Sequence, residues 1–207
     1  EGATCHVQPA IEDADGVEVK EAVALGLRSA SILGDLSITD FVATDPVVLT
    51  NASVGGMATI EHGRVTAFDA AFGNSLWVQN GGELTVIGSS VARDAEFSGK
   101  NAPIEHLWAR GLKVGGDLTI TGTLSGLADL QGCEVARDLI LGPDLIIDGT
   151  RGPWAGINLR GSTIRLALRI AGLGVRGARI ANPLSLRIAN ARPRRLASIG
   201  LDVFPGW

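Results

Sequence analysis

The sequence predicts an all-β fold, a parallel β-solenoid of about eight coils, and three observations carry that expectation. One pattern recurs along most of the chain, its apolar residues alternate with a period of two, and one repeat is too short to bury its own apolar face. The pattern is clearest in KVGGDLTITGT, Lys113–Thr123: an apolar anchor, small or polar turn residues, an Asp, then alternating apolar and polar residues. Anchored at Val114, the frame also fits at Ile32 (ILGDLSI), Val54 (VGGMATI), Phe72 (FGNSLWV), Val91 (VARDAEF), Val135 (VARDLIL), Ile164 (IRLALRI) and Ile180 (IANPLSL). The steps are 22, 18, 19, 23, 21, 29 and 16 residues, a solenoid period.

Residues 1–24 stand outside the frame and are expected to cap the first coil, as a short strand or helix turn over its open end. The solenoid then spans 25–190. Seven before the anchors stand Leu25, Val47, Val65, Leu84, Leu107, Ala128, Ile157 and Leu173. Five before stand Leu27, Leu49, Ala67, Val86, Ala109, Leu130, Leu159 and Val175. All are apolar, and apolar residues two apart share one face of an extended strand. Three before stand Ser29, Asn51, Asp69, Gly88, Gly111, Gly132, Gly161 and Gly177, residue types that turn a chain or tolerate positive φ. Four after stand Leu36, Ala58, Leu76, Ala95, Leu118, Leu139, Leu168 and Leu184. Each repeat therefore reads as strand, corner, inward anchor, second corner, strand. A period of two rules out helical repeats. The LxxLxLxxNxL signature of leucine-rich repeats is missing, and steps of 16 to 29 do not keep a hexapeptide beat. The handedness of parallel crossovers favours right-handed winding.

The two long steps are expected to put out loops, at Gly99–His106 and at Gly142–Ala155. From residue 191 the repeat stops, and Leu196, Ile199, Leu201, Val203, Phe204 and Trp207 are expected to cover the last coil in a C-terminal cap, 191–207. Gly supplies 28 of 207 residues, about double the usual share, as a fold of many tight turns requires. No apolar run approaches the ~18 residues of a membrane-spanning helix. The two cysteines, Cys5 and Cys133, are read as unpaired thiols. A chain starting at Glu1 suggests a removed targeting segment or an excerpt, which tilts the expected location toward secretion or the cell envelope.

Charge is unevenly spread. Residues 1–150 carry 8 Lys+Arg against 21 Asp+Glu, a balance of −13, whereas 151–207 carry 10 Arg against one Asp, a balance of +9. Arg160, Arg165, Arg169, Arg176, Arg179 and Arg187 occupy outward slots, with Arg192, Arg194 and Arg195 near the tip. Stacked coils would gather them into a basic face for polyanionic glycans, anionic membrane or the acidic region of another copy. Nucleic acid is the weaker option, because no aromatic residues interleave with these arginines.

Other chemistry is sparse. Asp35, Asp94, Asp117 and Asp138 share the slot three after the anchor, where each caps its own corner or, stacked, they hold a cation such as calcium. Capping is preferred, since the nine-residue beat of calcium-binding repeats is absent. Asp144, Asp148, Arg151 and Trp154 make the long insert a candidate glycan-binding loop. Its carboxylates leave a polysaccharide lyase or hydrolase as the enzymatic alternative. His6, His62 and His106 are too scattered for a metal site. No phosphate loop, dinucleotide fingerprint or zinc pattern occurs, so no cofactor is implied.

VGGDLTI and VARDLIL resemble the V-x-G-D-I/L beat of bactofilins, bacterial cytoskeletal β-solenoids that polymerise end to end without nucleotide. The likeness covers about Leu25–Asn190, but the Gly142–Ala155 insert and the Pro- and Arg-rich C-terminal segment depart from it. GGELTVIG, Gly81–Gly88, resembles the β-helical passenger domains of autotransported surface proteins. Both resemblances imply a bacterial, non-enzymatic role as a structural or interaction rod that binds itself or another protein.

Overall fold

The computed structural model describes residues 14–19, 25–39, 46–61, 63–142, 144–148, 150, 155–176 and 195–203. Among them there is no helix, and short strands stack in parallel as a β-solenoid with about five uninterrupted turns. Each turn has three sides. The first holds Val47–Val48, Arg64–Thr66, Gly82–Thr85, Leu127–Asp129 and Gly156–Asn158, ahead of the anchors. The second is the two-residue strand ending at each anchor, such as Lys113–Val114. The third holds the alternating segment after it, such as Ala58–Glu61 and Leu76–Gln79.

The register is the one the frame predicts. Seven anchors form one column: Ile32, Val54, Phe72, Val91, Val114, Val135 and Ile164. Ile180 lies outside the described residues. On the third side Leu118 pairs with Leu139 and Ile120 with Leu141. These columns point inward and are buried, so the core is one narrow aliphatic shaft. Ala95 and Phe97 share a coil, so small and large interior residues trade volume within it.

Corners explain the turn residues. Ser29, Asn51, Asp69, Gly88, Gly111, Gly132 and Gly161 all have φ between 52° and 72°. The residue that follows each is buried, and from Thr50 onward the carbonyl of the residue before it accepts from the corner N–H of the preceding coil: Gly88 N–H donates to Arg110 O at 2.9 Å and Gly111 N–H to Gln131 O at 3.0 Å. A second polar ladder supports the corner after the anchors. Asp35 Oδ1 accepts the N–H of Met57 at 2.7 Å, Asp94 that of Asp117 at 2.8 Å, Asp117 that of Asp138 at 3.0 Å, and Asp138 that of Ala167 at 3.0 Å. Each Asp thus caps the equivalent corner one coil on, and not its own. The reason is that the N–H groups on either side, at Gly116 and Leu118 for example, already bond backbone carbonyls of adjacent coils.

The long steps correct two expectations. Gly99–His106 is not a separate loop but part of the strand Ala95–Trp108, with the register slipping between Gly99 and Ile104. Lys100–Pro103 stand opposite Thr123 alone, a bulge that bends the strand around the coil. The Gly142–Ala155 insert likewise holds a rung, Ile146–Asp148, paired with Thr123–Leu124 on one edge and Gly174–Arg176 on the other. Ile104, Leu124 and Ile147 are buried, so longer coils spend extra residues on a fourth side. In a shorter coil a tight turn closes that passage at Asn80, Gly81 and Gly82, with φ of 72°, 58° and 75°. A Cβ on Gly82 would fall 1.8 Å from the Gly63 carbonyl oxygen, so no other residue fits.

Each end of the described chain carries a strand. Ala14–Val19 runs parallel to Ser31–Ile38, with Val17 opposite Leu36 and Val19 opposite Ile38. Arg195–Val203 runs parallel to Ala167–Arg176, with Leu196 opposite Leu168. The frame placed Leu173 and Val175 over Ile157 and Leu159; they pair instead with Leu201 and with Ile147 and Val203, on the fourth side.

The corner rule is directly testable at Gly111, whose φ is +67° and whose absent Cβ has nothing within 4 Å. Gly111→Ala is expected to cost about 1 kcal/mol in urea unfolding, from backbone strain alone. Gly111→Asn is expected to cost less, because Asn51 holds the same slot at φ 56°. Equal losses for Ala and Asn would contradict the rule.

Candidate functional site

A polar cluster sits on the first side, where three consecutive coils bring together Arg110, Asp129 and Asn158. Alternation along Ala95–Trp108 and the residues after it turns His106, Trp108 and Arg110 outward in a row. The His106 and Trp108 rings stack at 5.7 Å, and the Arg110 guanidinium lies 5.6 Å from the Trp108 ring centroid. One coil on, Asp129 is 1% exposed. Its Oδ2 accepts Arg110 Nε at 2.6 Å, and its Oδ1 accepts Asn158 Nδ2 at 2.9 Å and the Gln131 N–H at 3.3 Å. A buried carboxylate left without such partners would be costly. In return it holds Arg110 in one orientation while about half of that side chain remains in solvent. His106 Nδ1 is buried without a hydrogen-bond partner, and a Cβ on Gly126 would come within 2.9 Å of it.

The described residues cover only part of the expected basic face. Arg160, Arg165 and Arg169 are all exposed, but they belong to one coil and occupy its successive sides. Arg169 is engaged, with Nε 2.6 Å from Asp138 Oδ2. Arg176 pairs by backbone with Asp148 and so does not stack over Arg160. Arg195 begins the last described strand, while Arg179, Arg187, Arg192 and Arg194 lie outside the described residues.

Of the candidate loop, Asp144 and Asp148 are described. Asp144 pairs with Lys100 at 3.7 Å between exposed side chains. Asp148 Oδ1 accepts the N–H of Thr150 at 3.0 Å and its hydroxyl at 2.6 Å, a local Asx turn. Arg151 and Trp154 lie outside the described residues, as do His6 and His62. The Asp column spends its Oδ1 atoms on backbone N–H groups, and Arg137 stands 3.6 Å from Asp117. Among the described residues no group of three or more His, Cys, Asp or Glu could hold a metal ion. A shallow groove of about 520 Å³ follows the second side past Gly55, Gly73, Ala92 and Gly115 to Arg165; no His, Cys or Asp lines it.

Cys133 is a free, buried thiol two before its anchor. It donates to the Ala109 carbonyl at 2.8 Å. Ser89 occupies the same slot two coils earlier and donates to the Ala67 carbonyl at 2.9 Å; Ser162 does the same to Leu130 one coil on. Burial pushes the Cys133 thiol up from 9.0 to about 12; backbone hydrogen bonds at Leu112 and Gly111 oppose this and the Asp129 charge adds to it.

Comparison with known families, characterised proteins and solved structures finds no match to this chain.

Cys133→Ser is expected to fold, since the slot already accepts serine. The thiol's contribution is present in full below pH 9 and is lost as pH rises toward 12, because the unfolded chain ionises first. Urea midpoints should therefore fall faster in the wild type than in Cys133→Ser over that interval. Parallel curves would remove this role.

Proposed function

We propose that this protein is a non-enzymatic structural rod that associates end to end with further copies of itself. The observation that supports this reading most is the placement of the terminal strands. Ala14–Val19 and the first part of Arg195–Val203 lie on the same, third side, and among the described residues each strand is paired along one edge only. Val17 stands at the register position of Leu36, and Leu196 at that of Leu168, within one column. Docking the last strand of one copy on the first strand of the next would continue that ladder without changing its register. Such an interface is heterologous and does not close, so it builds a filament.

The charge imbalance of −13 before residue 151 and +9 after it would steer acidic starts to basic ends. Right-handed winding, a total of about eight coils and the end segments acting as caps only until a partner docks belong to the same reading. A bacterial envelope scaffold, as the resemblances imply, would be a fitting setting. Surface glycan binding is the second reading and is favoured by the ridge around Arg110. A polysaccharide-active enzyme has less support, because Asp144 and Asp148 are each engaged locally.

Sedimentation velocity at several protein concentrations, from low to 1 M salt, tests the assembly. The average mass should rise with concentration and fall with salt, as screening shortens the reach of surface charge. Successive N–H groups of a strand point to opposite edges, so either Val17→Pro or Glu18→Pro should block growth while the rod stays folded. A monomer at every ionic strength would end the proposal.

A further inference from the structure

The corner between the first and second sides carries one outward side chain per coil: Thr50, Phe68, Ile87, Arg110, Gln131 and Arg160. Their carbonyls each accept a corner N–H from the preceding coil, at 2.8 to 3.0 Å, so they form a straight row along the rod. Adjacent members are one rung apart, which puts Arg110 and Arg160 about 10 Å from each other. Two of the six, Phe68 and Ile87, are apolar, with Phe68 39% exposed, and three, Arg110, Gln131 and Arg160, are rich in donors.

We infer that this ridge binds an extended acidic polysaccharide lying parallel to the rod axis. Arg110 and Arg160 take carboxylates, Gln131 takes a hydroxyl between them, and Phe68 with Ile87 offers an apolar surface to the sugar ring. Three features select this ligand. A guanidinium matches a carboxylate with two parallel donors, and Arg110 is already oriented by Asp129 and Trp108. An extended pyranose chain advances by about one rung per sugar, so charges on alternate sugars meet Arg110 and Arg160. Single-stranded nucleic acid needs free aromatic faces in succession, whereas Trp108 is engaged with His106 and Arg110. Asp129 offsets one positive charge, so affinity comes from repetition along the polymer. The inference does not rest on end-to-end assembly, and monomers suffice to test it.

Titration calorimetry with oligogalacturonate at low salt is the experiment. Arg160→Gln should weaken binding at least five-fold, and Arg110→Lys, which keeps the charge but not the fork, should weaken it several-fold. Phe68→Ala should cost two- to three-fold. Arg165→Gln, on the same coil as Arg160 but on the second side, should leave affinity unchanged. An equal loss for Arg165→Gln would mean diffuse charge attraction and overturn the inference. So would equal affinity for a charge-matched oligonucleotide, acidic peptide or anionic vesicle, or no binding to oligogalacturonate at all.

Discussion

The coil-to-coil backbone ladder is the constraint on which everything else depends, and it is set at one corner. A turn that re-enters the stack at the same height needs a residue at positive φ in the same vertical line each time. Ser29, Asn51, Asp69, Gly88, Gly111, Gly132 and Gly161 supply it. With that line fixed, the apolar residues five and seven before the anchors fall on their counterparts above and below. Interior packing is then a consequence of register, because a slip of one residue would turn the aliphatic columns outward. No single coil could hold this arrangement, since the hydrogen bonds of its strands run to its neighbours.

Polar groups inside such a stack must be satisfied vertically. The aspartates after the anchors do so by reaching to the next corner, and Ser89, Cys133 and Ser162 do so by bonding carbonyls of the coil before. Each of these interactions ties two coils together and leaves little chemistry to spare. That is why residue types suggestive of metal or thiol reactivity act here as braces. Burial of Cys133 keeps the unreactive protonated form, and the Asp138 carboxylate, 6% exposed as a residue, is matched by Arg169 and the Ala167 N–H.

Columns were legible in the sequence because they depend on spacing alone, and anchors, corners and inward residues follow from it. Fourth-side rungs were not. The two-residue spacing of Leu173 and Val175 satisfies the first-side frame as well as the fourth, and only pairing with Ile147 distinguishes them. Likewise a bulge such as Lys100–Pro103 has the composition of a loop. Three arginines of the expected basic face do not stack over one another, for a geometric reason that the sequence does contain. Arg160, Arg165 and Arg169 are four or five residues apart, far less than a period, so they distribute around a coil and not along the rod. The same arithmetic finds the ridge that was overlooked, since Trp108 and Asp129 are 21 residues apart and Arg110 and Gln131 are too.

A solenoid meets a problem at its ends that closed folds do not have. Its last rung resembles every inner rung, and the groups that bind the next coil are the same whether that coil belongs to the chain or to another copy. Growth is then limited only by what differs at the termini. On the proposed reading the difference is electrostatic, set by the balance of −13 before residue 151 and +9 after it and not by the last described strand, where Asp202 offsets Arg195. Like ends repel and unlike ends attract, so charge would choose the polarity of contact while the backbone supplies its geometry. On the proposed reading, the uneven spread of charge and the repeating core serve one purpose. The core makes every rung a competent template, and the charges decide which rung meets which.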